Sequence, residues 1–313
     1  MMLKVAVLGQ TPLVAKSIAR VVGSGGAVAT AAQNVDELQA AIREGTDLAC
    51  FALEHLEQLA PTLKECPKTR ALVWSGSRDN SHVPAIQTLQ QLPRANHLFG
   101  LRYPEAPPRP WELVAVIRRF GEGKPPPMDG FLDWGGGRFV RSPSSDKERD
   151  VVVAEVERFV ASLAGPKQGG SMAEVAHELL MNAMYDAPVD PKGRPLFAHD
   201  RTASISLSPQ QRPHFLCGCD GSRVVISVVD PFGGLRREHV FGGLARALAS
   251  GTMDRSGGGA GLGLMVVYKA TTLLFFDVVP RTRTQATAIL ELDVPQRELR
   301  SMPRSVHFFV KEP

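Results

Sequence analysis

The feature that most constrains this chain is the alternation of strand-like and helix-like segments through residues 3–120. Leu3–Leu8 is a short apolar run with strand character. Pro12–Val22 has helical spacing, with proline in the first turn, where a missing N–H costs nothing. The pattern then repeats: strand near Ala27–Ala31, helix Val35–Glu44 stopped by Gly45, strand Asp47–Leu53, helix Leu56–Cys66, strand Arg70–Trp74, helix Val83–Gln91, strand Ala95–Gly100 and helix Trp111–Phe120. Apolar strands separated by single helices favour parallel pairing, because each crossover needs a helix to cover the sheet. Residues 1–122 are therefore expected to form an α/β domain with a doubly wound parallel sheet.

Residues 123–145 break this rhythm. Lys124-Pro-Pro-Pro127, Gly135-Gly-Gly137 and Ser142-Pro-Ser-Ser145 carry turn and linker chemistry. Phe131, Trp134 and Phe139 are too apolar for a free linker and predict that part of it packs on a domain. Ser145 and Glu148 have capping-box spacing, opening a helix to about Leu163. Gly165-Pro-Lys-Gln-Gly-Gly170 is expected to break that helix before a second one over Ser171–Tyr185. Strands follow at Ala203–Leu207, His214–Cys219, Val224–Val229, Leu273–Val279 and Thr287–Asp293, with Asp220-Gly221 marking a hairpin. Helices first and antiparallel strands after predict an α+β sandwich over residues 146–313.

Composition narrows the classes. The 313 residues are 43% hydrophobic and 22% charged, as in globular proteins. No run of eighteen apolar residues exists, so no membrane span is expected. The first residues lack the pattern of a secretion signal, and the four cysteines are scattered, which together fit the cytoplasm. Cys217-Gly-Cys219 has no second pair at zinc spacing and reads as two strand cysteines. The net charge of +4 is dispersed, which argues against nucleic acid as a partner.

Three stretches of the second half carry chemistry. Glu178, Asn182 and Asp186 follow one another at four-residue spacing on a helix, sharing one face. An amide oxygen there suits Mg²⁺ and a neighbouring carboxylate can orient water, although an isolated pair also reads as a solvated stripe. Asp230 closes an apolar strand before Pro231-Phe-Gly-Gly234. A carboxylate so placed can accept from an exocyclic amine, or can simply form an Asp-Pro turn. Ser256-Gly-Gly-Gly-Ala-Gly-Leu-Gly-Leu264 runs into an apolar helix. Crowded backbone N–H groups and a helix N-terminus together favour phosphate, though flexible linkers share the glycine content.

In order, these stretches resemble the N, G1 and G2 boxes of the GHKL superfamily, which includes histidine kinases, gyrase B and anti-sigma-factor kinases. The resemblance covers about residues 146–295 and implies a Bergerat fold binding ATP and Mg²⁺. It implies that Asn182 holds the metal, with Asp186 beside it, and that Glu178 is the catalytic base or water-orienting residue. It implies further that Asp230 binds the adenine amine, supported by Thr284 and with Gly234 in the turn. Gly257, Gly259, Gly261, Leu262 and Gly263 would line the phosphates. Leu235–Ser256 would be the ATP lid, with Arg236, Arg237, Arg246 and Arg255 as phosphate contacts. The chain departs from the pattern at Phe232, where the G1 box has glycine. His177-Glu178-Leu179 is similar to the opening of a phosphoacceptor box, but Leu180 and Asn182 replace its arginine and proline, so His177 is read as an incidental neighbour.

The first half resembles a response-regulator receiver stripped of its chemistry. Gly9-Gln10-Thr11 stands where paired acids hold Mg²⁺, Ala52 stands at the phosphoacceptor position, and Glu54 is two positions away. Ser75 fits the switch position, and Arg102-Tyr103-Pro104 replaces Lys-Pro. A pseudo-receiver is expected, serving as an interaction surface. The combination implies a bacterial-type signalling protein that phosphorylates or regulates a receiver or phosphoacceptor protein, or else a non-catalytic nucleotide-sensing scaffold. A homodimer is compatible with either.

Overall fold

Short polar side chains start the first two helices of the amino-terminal half. In the computed structural model, which describes residues 2–76, 86, 89, 95–133, 135–250 and 262–311, β1 (Lys4–Leu8) leads to α1 (Pro12–Ser24). Thr11 caps α1, its hydroxyl accepting from Val14 N (3.3 Å) with Pro12 at the first helical position. The next strand, β2 (Val28–Ala32), precedes α2 (Val35–Arg43). Asn34 accepts from Glu37 N (2.9 Å), while the Glu37 carboxylate takes Gln33 N (2.8 Å). Then come β3 (Leu48–Ala52), α3 (Leu56–Glu65), β4 (Arg70–Ser75), β5 (His97–Gly100) and α4 (Pro110–Glu122). The helix expected over Val83–Gln91 lies outside the described residues except at Ile86 and Leu89, both buried.

The chain is a mixed α/β protein that divides into two units, Met1–Pro126 with Ser301–His307 and Pro127–Arg300 with Phe308–Pro313. In the first unit all neighbours in the order β2-β1-β3-β4-β5 pair in parallel. Val5, Ala6, Val7, Ala49, Cys50, Phe51, Leu72 and Val73 are fully or nearly fully buried, as a sheet covered on both faces requires. The order reverses at β1, so the carboxyl ends of β1 and β3 flank a topological switch point.

The far side of β5 is filled by a segment from the end of the chain. Ser305–His307 opens a strand, Ser305–Val310, and pairs antiparallel with β5, His307 opposite His97 and Val306 opposite Leu98. Gly100 permits this approach, since a Cβ there would lie 2.2 Å from Pro303 O, and its N–H donates to Ser305 Oγ (2.9 Å). Beneath it His307 Nε2 and Glu112 Oε1 are 2.9 Å apart, both fully buried, and Arg109 donates to Glu112 Oε2 (3.2 Å) and Gly100 O (2.7 Å).

The second unit begins with a strand in the expected linker, β6 (Gly137–Arg141), paired antiparallel with β7 (His214–Cys219). Phe139 packs edge-on against Phe159 at 5.4 Å, which explains the apolar residues there. Beyond it lie α5 (Asp146–Ala164) and α6 (Pro166–Met181). The helix expected from Ser171 starts five residues earlier. Gly165, with φ of +96°, breaks the chain between the two helices, while Gly169 lies inside α6 because a Cβ there would meet Glu157 O at 2.7 Å and Ala161 Cβ at 2.8 Å, so that glycine serves close packing of α6 on α5. The expected strand Ala203–Leu207 is a loop with a single bridge, Ser206 to Ser145, since its amides are spent on Asp146 and Ser144.

β8 (Arg223–Asp230) follows the Asp220-Gly221 turn, where Asp220 Oδ1 accepts from Ser222 N (2.8 Å) and Arg223 N (2.7 Å). α7 (Arg237–Ser250) and α8 (Leu262–Ala270) come next, then β9 (Leu273–Val279) and β10 (Arg283–Glu291). β10 starts four residues before its expected position, which puts Thr284 inside the strand. The antiparallel order in this unit is β9-β10-β8-β7-β6. Phe308–Val310 lie beside β9, where Lys311 N donates to Val278 O (2.9 Å). The core contains Phe131, Phe275 and Phe309, with ring centroids 5.4 and 5.1 Å apart in sequence along the stack. Cys217 and Cys219 are buried free thiols in β7, and burial pushes both up. Among the described residues no helix is long and apolar enough to cross a membrane.

Candidate functional site

Helix α6 does not end by fraying. After Met181 it widens into one π-turn, Asn182–Asp186, in which Ala187 N donates to Asn182 O (2.9 Å). Single π-turns occur mostly at functional positions. This one lies on β8, burying Ala183, Met184 and Tyr185 and leaving Asn182 and Asp186 half-buried.

A loop is pinned against it. The Tyr185 hydroxyl donates to Ala203 O (2.9 Å), Ser204 Oγ donates to Asp146 Oδ1 (3.0 Å), and Leu207 N donates to Ser144 O (2.7 Å). The loop thereby delivers Arg201 to the π-turn. Its Nη2 donates to Asn182 Oδ1 (2.9 Å), its Nε donates to Asp186 Oδ1 (3.1 Å), and Nη2 also bonds Asp186 Oδ2. Nothing in the sequence marks Arg201, one of several basic residues in an irregular stretch and fifteen positions beyond Asp186.

Glu178, one turn before Asn182, is directed elsewhere. Its carboxylate leans on the first turn of α8, where a Cβ added to Gly263 would lie 2.0 Å from Glu178 Oε2. A side chain at 263 would displace the Glu178 carboxylate from this contact between α6 and α8. Gly257, Gly259, Gly261 and Arg255 lie outside the described residues; Leu262 opens α8. In the expected lid, Arg237 stacks on Phe241 with its guanidinium 4.9 Å from the ring centroid, and Arg236 and Arg246 are exposed.

Asp230 is the most unusual group of the set. It is 7% exposed at the end of β8. Oδ1 accepts from Phe232 N (2.9 Å) and Gly233 N (3.3 Å), forming an Asx-type turn, while Oδ2 accepts no hydrogen bond among the described residues. Burial pushes its carboxyl up to about 6, against the pull of those two amides, of the neighbouring Thr284 hydroxyl and of Arg283. Thr284 is directly opposite Asp230 in the β10–β8 register. Its Oγ1 is near enough to favour the ionised carboxylate but not aligned for a hydrogen bond, and it stays buried without a partner. A carboxylate oxygen not used by the turn, beside the buried Thr284 hydroxyl, suits an incoming N–H donor.

The glycine that shapes this turn is Gly233. It has φ of +63°, and a Cβ would lie 2.1 Å from Val279 O and 2.8 Å from Arg281 N. Gly234, singled out from the sequence, has open space where its Cβ would go. The signal for Gly233 was visible as half of a Gly-Gly pair, but only the β9–β10 hairpin decides which glycine is obligatory.

At the switch point of the first unit the acids are missing as expected. Ala52 ends β3, and Glu54 is exposed, with His55 3.7 Å away. The Gln10 amide donates to Pro104 O, and Ser75 is buried at the end of β4. Among the described residues no group of three or more His, Cys, Asp or Glu side chains is placed to hold a metal ion.

For Mg²⁺ at Asn182 the donor set does not fit. The one neutral oxygen expected to ligate it already accepts from a guanidinium, and the adjacent carboxylate is paired with the same cation. For an adenine amine at Asp230 the acceptor does fit, since Oδ2 accepts no hydrogen bond from a backbone amide among the described residues and lies beside the Thr284 hydroxyl. No protein-family model matches the chain, and no curated protein matches it.

Proposed function

We propose that the second unit binds an adenine nucleotide in a Bergerat-type site and that the chain acts in signal transduction through a partner protein. The observation that carries this reading is Asp230: a buried carboxylate with one oxygen spent on shaping a turn and the other left for a ligand. An exocyclic amine of a purine is the donor of matching chemistry. The π-turn on β8 and the start of α8 against Glu178 bring the helix-borne expectations, Asn182, Asp186 and Gly263, onto neighbouring elements of one unit, which supports a common site. The parallel order β2-β1-β3-β4-β5 of the first unit supports a receiver-like fold, and Ala52 at the end of β3 supports its use as a docking surface rather than a phosphoacceptor.

Between a kinase acting on a partner and a nucleotide-sensing scaffold, one contact favours the scaffold. Arg201 on Asn182 Oδ1 takes the oxygen on which phosphoryl transfer of the GHKL type would draw for its metal. In a sensor, the nucleotide would instead order the segment around α7, and the ordered segment would recruit the partner.

Calorimetric titration of the full chain with ATP tests the reading. Wild-type protein is expected to bind, and Asp230→Ala to lose at least roughly tenfold in affinity. Unchanged affinity in the variant would remove Asp230 from the site. Radiolabelled ATP incubated with the chain and candidate receiver proteins separates the two uses: transferred label supports a kinase, and bound but untransferred label supports a sensor.

A further inference from the structure

Resting on the nucleotide reading above, we propose that Arg201 takes the place of a divalent cation, so that this site binds nucleotide phosphates without magnesium. Three of the guanidinium's donor directions are fixed by the π-turn: Nε to Asp186 Oδ1 (3.1 Å), Nη2 to Asp186 Oδ2, and Nη2 to Asn182 Oδ1 (2.9 Å). Nη1 donates to nothing among the described residues. With Nε and both Nη2 hydrogens held, the two Nη1 hydrogens are the donors that a phosphate oxygen can take.

The anchoring is not incidental to an exposed chain. The Arg201 side chain is 24% exposed and that of Asp186 29% exposed. The loop that carries Arg201 is tied down on both flanks, by Thr202 N on Asp200 Oδ1 (2.9 Å), by the Tyr185 hydroxyl on Ala203 O (2.9 Å) and by Ser204 Oγ on Asp146 Oδ1 (3.0 Å). Asp186 and Asn182 are thereby positioning residues for the arginine. Metal-free ATP leaves its phosphate oxygens open to the donors that remain on the guanidinium, whereas the magnesium complex has some of them taken by the metal. A divalent ion entering at Asn182 would have to displace the guanidinium and then sit beside it.

The test is calorimetric titration of ATP into the full chain, once with EDTA and once with excess magnesium chloride, for wild type, Arg201→Lys and Arg201→Met. Wild type is expected to bind in EDTA at least as tightly as in magnesium, within about threefold. Arg201→Met is expected to lose at least roughly tenfold in EDTA, with Arg201→Lys between the two, because lysine keeps the charge without the fork. Circular dichroism melts check that the variants fold, and the wild-type comparison stands without them. Wild-type binding that appears only with magnesium overturns the inference and leaves the nucleotide reading intact. So does an Arg201→Met chain that folds and binds as wild type in EDTA. No binding under either condition overturns both.

Discussion

Two buried carboxylates, Glu112 in the first unit and Asp230 in the second, are treated in opposite ways. In the first unit Glu112 is 1% exposed. Burial pushes its carboxyl up, but the hydrogen bond with His307 and the charge of Arg109 outweigh that and hold it below the usual carboxylate range. In the second unit Asp230 is 7% exposed, two backbone amides and the neighbouring Thr284 do not compensate for burial, and its carboxyl is pushed up to about 6. A carboxylate surrounded by partners holds structure together. One left short of partners is a stability cost that folding alone does not explain, and such costs collect at ligand sites.

The comparison has opposite signs in pH. Glu112 binds its proton less tightly folded than unfolded, so its contribution is fully present above its ordinary value of 4.5 and is lost as pH falls through the folded value. Asp230 binds its proton more tightly folded than unfolded, so stability declines as pH rises from 3.8 through about 6 and levels off above. The largest expected effect comes from stripping Glu112 of a partner. His307→Ala leaves the buried Glu112 carboxylate short of a hydrogen-bond partner, with Arg109 and Ser305 remaining, and is expected to cost about 3–5 kcal/mol in chemical denaturation. A loss below about 1 kcal/mol would break the contrast from the structural side.

Next is the turn beneath Asp230. Gly233→Ala puts a Cβ 2.1 Å from Val279 O in a left-handed conformation, and is expected to cost about 3 kcal/mol or more together with nucleotide binding. Gly234→Ala enters open space and is expected to stay within about 0.5 kcal/mol of wild type. Equal melting of the two variants would deny that Gly233 alone shapes the site.

These contrasts also mark how far the sequence could be read. Features with local causes were legible: Pro12 in the first turn of α1, Ser145 with Glu148 as a helix start, Asp220-Gly221 as a hairpin, and Asp230 as a strand terminus. Thr284 was legible as a partner of Asp230, though only the register, which extends β10 toward the hairpin, puts the two opposite each other. What escaped depends on contacts far apart in the chain. Ser305–His307 is a three-residue segment whose partner, β5, lies about two hundred residues earlier, and Gly100 carries no local sign that it must admit Pro303. Arg201 reaches Asn182 only because Tyr185 and Asp146 fix its loop. Gly169 read as a breaker because its neighbour, α5, is invisible to local pattern.

The central claim, that Asp230 is kept for a ligand at the expense of the fold, is tested most directly by thermal melts of Asp230→Asn at neutral pH with and without ATP. The Phe232 and Gly233 amides would take the new carbonyl oxygen, leaving an NH₂ donor where the free carboxylate oxygen stood. Removing a buried charge whose carboxyl is raised from 3.8 to about 6 is expected to stabilise the ligand-free chain by up to about 3 kcal/mol. The account predicts a variant that melts above wild type and no longer shifts with ATP. A variant that melts below wild type and keeps the full ATP shift would contradict it.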